Sequence, residues 1–425
     1  MPQRRQGRRR PRRFRRSFNQ RKPRPESFWV RVQSWLLALT SKLIPKKDES
    51  RTGEIVAFYD EPNSEVEFLP ALFSAELSLA GRIPWVSLRG CEQPSIPKRV
   101  SRAQHYFGNN FAFIKRESRD VDLLAESQAK KLEFVLGNVL QSKPDEFVYF
   151  GVIDDAWNLA LAQASSILKK PLRMILLDEE EVEGEDGELL GIRSLGVSLK
   201  VVKSERSQQF HRKLAQWRSR FKKIVVLPDE FDDSVAALGY AGALHEIKAA
   251  NDEGETPIPD LVFVPVDSGA AFVGIEISRR LCGFSNTKLV GIITDESFRK
   301  TPAEFASLAK ETWELLSPHF ADQRREDFSE KDFNILKVGT TDADLPDLIR
   351  WTSRFMELEG VELEHELTGP AIRRTCEYLE ENKIDGKSIL FWNTYSGQKV
   401  FDLSGSEFAE IEDRVRGKKF VRRAG

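Results

Sequence analysis

The chain has 425 residues, 40% hydrophobic and 31% charged, which suits a soluble globular protein with a sizeable core and does not suit a fibrous or disulfide-stapled one. Its net charge of −1 conceals an asymmetry: residues 1–25 hold eleven Arg, one Lys and no acid, leaving 53 cations against 66 acids in the remainder. Three distant cysteines (Cys91, Cys282, Cys376) and five scattered histidines, with no C-x-x-C or H-E-x-x-H, argue against a disulfide framework or a zinc site and for a reducing, cytoplasmic setting.

Residues 1–26 form a basic arm with almost no apolar side chains, so it is expected to be disordered. Arg4, Arg5, Arg8, Arg9, Arg10, Arg12, Arg13, Arg15 and Arg16 are candidate polyanion-binding residues, acting through counterion release, with Phe14 and Phe18 available to stack on bases. Nucleic acid and an anionic membrane surface are the candidate partners of residues 1–44. The bland alternatives are a solvated tail, docking on the acidic body, or an organellar presequence.

From Ser27 to Ile44, residues Phe28, Val32, Trp35, Leu36, Leu39 and Leu43 share one helical stripe, ended by Pro45. The run is short for a bilayer span of about 20 residues. Docking on the chain's own domain or on a protein partner is the first reading of this helix; peripheral membrane association is the second. Residues 27–53 are thus an amphipathic helix and linker. Residues 54–90 read as a helical extension, clearest over Glu67–Ala80, residues 91–405 as an α/β domain of two subdomains, and residues 406–425 as a second basic tail.

Strands and helices alternate through the α/β part. Asn110–Lys115, Glu146–Val152, Leu172–Leu177, Lys223–Pro228, Asp260–Pro265 and Leu289–Ile293 read as strands, with helices over Asp122–Gln141 and Trp157–Leu168. Such alternation predicts parallel sheets covered on both faces. The loop Asp178–Glu188 is acidic and reads as a solvated connection or, alternatively, as a dock for the basic arm.

Several segments carry a family resemblance. K-R-E-S at Lys115–Ser118 is followed by K-K-L-E at Lys130–Glu133. G-E-L-L-G-I-R-S-L-G-V spans Gly187–Val197, L-G-Y-A-G-A-L-H-E-I spans Leu238–Ile247, and Thr368–Gly369 and Ile389–Leu403 follow. Together, from about Cys91 to Leu403, they resemble the 1-aminocyclopropane-1-carboxylate deaminase and D-cysteine desulfhydrase branch of the pyridoxal-phosphate enzymes, within the tryptophan-synthase-β-like group. The resemblance implies a fold-type II architecture, two parallel-sheet α/β subdomains around a cleft, a helix over Leu238–Ile247, and a homodimer by analogy.

It also implies a cofactor site, and there the sequence departs. The position of the family's Schiff-base lysine is Gln128, and an amide forms no imine. Lys130 and Lys131, two and three positions along the helix, point elsewhere. The family's Ser-Asn pair corresponds to Asp154 and Asp155. Without a third ligand, these read as a helix N-cap and first-turn charge rather than a metal site. The phosphate loop corresponds to Asp267, Ser268, Gly269, Ala270 and Ala271, with an acid where the phosphate dianion belongs. At Asn393–Ser396, Thr394 survives and the glycine pair does not.

The expected function is therefore that of a catalytically inactive homologue working as a binding or scaffolding protein, with no cofactor and no metal. One alternative is an active pyridoxal-phosphate deaminase or desulfhydrase. The other is a polyanion-binding protein acting through its arm.

Overall fold

The computed structural model describes residues 70–88, 96–117, 126–153, 155, 157–178, 187–295, 298–320, 325–338 and 345–394. The basic arm with its arginines, the helix over Ser27–Ile44, most of the acidic loop, Asp154 and the basic C-terminal tail lie outside the described residues.

Long apolar runs form the strands of two sheets. The strands are β1 (Lys98–Arg99), β2 (Phe111–Arg116), β3 (Glu146–Val152), β4 (Leu172–Leu177), β5 (Ser198–Val202), β6 (Ile224–Val226), β7 (Leu261–Pro265), β8 (Lys288–Ile293), β9 (Asn334–Lys337) and β10 (Ser388–Asn393). The larger sheet has the order β1-β2-β10-β7-β8-β9 and the smaller β5-β4-β3-β6. Every pairing is parallel except β1 with β2. Strands β7 and β10 are buried along their whole length, as parallel strands covered on both faces must be. The expected strands at Glu146–Val152 and Leu172–Leu177 are present with those bounds, and the others differ by one or two residues.

The connectivity places the site. The chain leaves the larger sheet after β2, passes through the helix Glu126–Leu140, and builds the whole smaller sheet before returning at β7. Last of all, β10 slots between β2 and β7, pairing Asn393 with Arg116 and Phe391 with Phe263. The carboxyl ends of β2, β10 and β7 therefore lie side by side. Segments more than 120 residues apart in sequence meet there, where open α/β sheets carry their ligands.

The main core joins the two sheets through Leu132, Phe134, Tyr149, Phe272 and Trp392. A second cluster, including Ile114, Phe263, Phe355, Ile372 and Phe391, covers the other face of the larger sheet beneath the helices Leu345–Glu359 and Thr368–Glu381. A third and smaller cluster lies between the smaller sheet and the helix Glu205–Arg218.

Two helical expectations are corrected. Within Glu67–Ala80 the described part is a short helix, Ala71–Ala75, followed by a 3-10 turn at Leu77–Leu79. Leu238–Ile247 is not one helix but a 3-10 turn at Leu238–Tyr240 and a helix Ala243–Asp252. The first helix ends at Glu76, whose backbone is extended at φ −146° and ψ 89°. Gly242 meets the backbone of Ala71 and Leu72 so closely that any Cβ would collide with it. Leu238–Ile247 breaks at this approach, where Gly242 caps the second helix.

Candidate functional site

The segments that resemble the family converge on a buried ion cluster. Lys115 Nζ lies 2.8 Å from Glu246 Oε2, and Lys130 Nζ lies 3.1 Å from Glu117 Oε1 and 3.7 Å from Glu246 Oε1. Tyr240 Oη donates to Glu117 Oε2 at 2.7 Å. Two ammonium groups thus face two carboxylates, a balanced set, which makes such burial tolerable. The Trp392 ring lies 5.9 Å from Lys115 Nζ and 5.6 Å from Lys130 Nζ. Gly239 brings the next segment against the Lys130 carbonyl, where no Cβ would fit. K-R-E, K-K-L-E, L-G-Y and E-I are therefore parts of one packed unit.

Gln128 sits in the first turns of the helix Glu126–Leu140, half-buried, two residues before Lys130. The neighbouring Ser127 carbonyl lies 3.5 Å from Tyr240 Oη, which ties this turn to the cluster. Lys131, on the same helix, reaches a different place: its Nζ donates to Ser268 Oγ at 2.7 Å and stands 5.5 Å from the Trp157 ring centroid.

Ser268 is the N-cap of the helix Gly269–Leu281, the segment that resembles a phosphate loop. Its free N–H groups and dipole favour an anion. Here the anion comes from the chain itself. Asp232 Oδ1 accepts the backbone N–H of Ala270, and the other oxygen of the same carboxylate pairs with Lys300 Nζ. Lys300 stands beside Gly269, 3.3 Å from where a Cβ would project. Burial, with Lys131 adding to it, pushes the Lys300 ammonium below its ordinary range, while Glu230 and Glu304 oppose the shift. A helix N-terminus and Lys300 thus hold one carboxylate, with Lys131 on the neighbouring Ser268. Asp267 itself is exposed, Ser268 is partly buried, and Gly269, Ala270 and Ala271 are buried.

Sequence reasoning missed Asp232 and Lys300. The signals were an acidic run, Asp229–Asp233, directly after a strand, and a capped helix start, K-T-P-A-E at Lys300–Glu304. That cap is a full capping box between Thr301 and Glu304.

The remaining sequence-derived positions are distributed around this centre. Asp155 Oδ1 accepts the N–H of Trp157 at 3.0 Å, and its Oδ2 accepts from Tyr149 Oη at 2.8 Å. It thus caps the helix Trp157–Ile167, the capping role read from sequence. Burial first, and then the Asp155 carboxylate, push the Tyr149 phenol well above its ordinary value. Asn393 Nδ2 donates to the Glu362 carbonyl at 2.9 Å, and Thr394 is buried beside it. Burial, then Glu366 and Asp267, hold the Glu364 carboxyl above its ordinary range. Burial pushes the Cys282 thiol up to about 11 and the Cys376 thiol higher still, so neither is an activated nucleophile. Among the described residues no group of three or more His, Cys, Asp or Glu could hold a metal ion, and no helix is long and apolar enough to cross a membrane.

No protein-family model matches the chain, and no curated protein matches it significantly. Solved structures do. An ACC deaminase homologue superposes with a TM-score of 0.60 at 20% identity, over 82% of this chain and 100% of that one. A fungal L-serine ammonia-lyase from Rhizomucor miehei gives 0.50 at 14% identity, over 76% of this chain and 98% of that one. The Escherichia coli diaminopropionate ammonia lyase gives 0.50 at 12% identity, over 84% and 93%. What is shared at such identities is the architecture. The chain carries the fold expected from its sequence resemblance, the fold-type II scaffold of pyridoxal-phosphate enzymes.

Proposed function

We propose that this chain is a catalytically inactive homologue of pyridoxal-phosphate deaminases and desulfhydrases, acting as a binding or scaffolding protein. The observation that carries the reading is the Asp232 carboxylate on the Ala270 N–H, held there by Lys300. A phosphate dianion bound at the same N–H would meet that carboxylate at contact distance, a like-charge clash in a partly buried site.

The rest of the site points the same way. The cofactor needs an imine-forming amine, and position 128 offers an amide. Lys115 and Lys130 are committed to buried carboxylates. Lys131 is bonded to Ser268, at the phosphate end of such a site rather than at the aldehyde end. The residues present do not fit the cofactor, so no reaction step is assigned to it. In this reading the Arg-rich arm and the helix that follows it in sequence make the contacts with partners.

The test is absorbance. The purified chain is titrated with pyridoxal phosphate, then treated with borohydride. No imine band and no cofactor retained on the protein after reduction are expected. A saturable band that borohydride removes, with one lysine labelled, would instead support the deaminase or desulfhydrase reading.

A further inference from the structure

The helix Glu205–Arg218 turns an unusual face to solvent. Gln208 fastens it to the smaller sheet through the carbonyls of Gly151 at 2.7 Å and Ile175 at 3.1 Å, while Ala215 is buried against the sheet. On the opposite side Phe210, Trp217 and Phe221 are 66%, 54% and 70% exposed. Positions 210, 214 and 217 recur at helical spacing, and Phe221, in the turn just past the helix, continues their stripe with its ring 5.2 Å from that of Trp217. Exposed rings in such a row serve nothing within the described fold.

Charge accompanies the rings. Residues 200–223 hold nine Lys or Arg and a single acid, Glu205, in a chain whose remainder is acidic. Arg212 is taken up by Asp229 at 2.6 Å. By contrast Arg206, Lys213 and Arg220, spaced seven apart, form an exposed row directly beside the aromatic stripe. Lys222 and Lys223 extend it.

We infer that this face binds single-stranded nucleic acid, with bases stacked on Phe210, Trp217 and Phe221 and phosphates against Arg206, Lys213 and Arg220. A single strand offers a flat π-face and a negative charge at every nucleotide, which matches rings and cations interleaved on one surface. An anionic membrane fits less well. The cations share the solvent-facing side with the rings, so inserting the rings among acyl chains would drag charge with them, whereas interfacial helices separate the two faces. The inference is independent of the cofactor question. It also concerns the face of the helix Glu205–Arg218 rather than residues 1–25.

The test uses the full chain and a 5-iodouridine oligonucleotide, photocrosslinked and mapped by mass spectrometry. Crosslinks at Phe210, Trp217 or Phe221 are expected. Trp217→Ala with Phe221→Ala, at exposed positions that leave the circular dichroism spectrum unchanged, should remove those crosslinks and weaken binding at least about five-fold. Arg206→Glu with Lys213→Glu should weaken it further and flatten its salt dependence. Crosslinks confined to residues 1–25 would overturn the inference. So would unchanged affinity in the aromatic double variant, or retention on phosphatidylserine vesicles with no crosslink on this face.

Discussion

Tyr240 donates a 2.7 Å hydrogen bond to Glu117, 123 residues earlier in the chain, and Lys130 pairs with the same carboxylate at 3.1 Å. This one contact binds the end of β2, the helix Glu126–Leu140 and the L-G-Y turn. Glu117 is fully buried, so removing its charge takes from Lys130 its carboxylate partner at 3.1 Å, while Glu246 stands farther off at 3.7 Å. Glu117→Gln should cost about 3–5 kcal/mol of unfolding free energy, the usual result of breaking a buried pair. Lys130→Met added to it should recover part of that loss. Urea denaturation with both variants measures the two quantities, and a loss below about 1 kcal/mol for Glu117→Gln would show that the cluster is not structural.

Asp232 fills the helix N-terminus at Ser268–Ala270, so removing it should open an anion site between that terminus, Lys131 and Lys300. Asp232→Ala should therefore be stabilised by inorganic phosphate, its Tm rising with concentration as a site fills. The unmutated chain should show no such dependence. Equal phosphate responses in the two proteins would mean that the carboxylate is not what holds the site.

The sequence made the scaffold legible because its signals are local. Glu146–Val152 and Leu172–Leu177 are apolar runs with clear bounds, and their pairing in one parallel sheet follows from the helix between them. The proposed site was legible from sequence only at positions such as Gln128, where the family resemblance leads one to expect a lysine. Asp232 was not legible, because its partners are Ala270 and Lys300, 38 and 68 residues away. The same holds for Gly242, the break between the turn Leu238–Tyr240 and the helix Ala243–Asp252, which packs on Ala71 and Leu72, about 170 residues away. The helix Glu205–Arg218 went unread for a different reason. Its apolar stripe faces water and its sheet side carries Gln208, the reverse of the usual pattern.

A lysine placed at position 128 tests the proposed misfit to the cofactor. Gln128→Lys places an amine on the helix Glu126–Leu140 but leaves the Asp232 carboxylate on the Ala270 N–H. With pyridoxal phosphate this variant should show no stable imine band, whereas Gln128→Lys with Asp232→Ala should bind the cofactor more tightly than either single change. If Gln128→Lys alone gave a full band, the carboxylate would not be the obstacle.

Glu364 offers a pH test of the rim of the site. Burial, then Glu366 and Asp267, raise its folded-state carboxyl above the ordinary value of 4.5. The folded chain therefore holds this proton more tightly than the unfolded chain does. The stability associated with the protonated form is present below the unfolded value and is lost as pH rises through the folded one. At neutral pH the carboxylate is a net liability. Glu364→Gln keeps the shape and the backbone bond from the Glu364 N–H to Thr368 Oγ1 at 2.8 Å, and removes only the charge. Its unfolding free energy should match that of the unmutated chain at a pH below the ordinary carboxyl value and exceed it at pH 7, the gap opening as pH rises. Denaturation curves across that window decide it: a gap that is constant with pH, or one of opposite sign at pH 7, would show that Glu364 is not destabilised by Glu366 and Asp267.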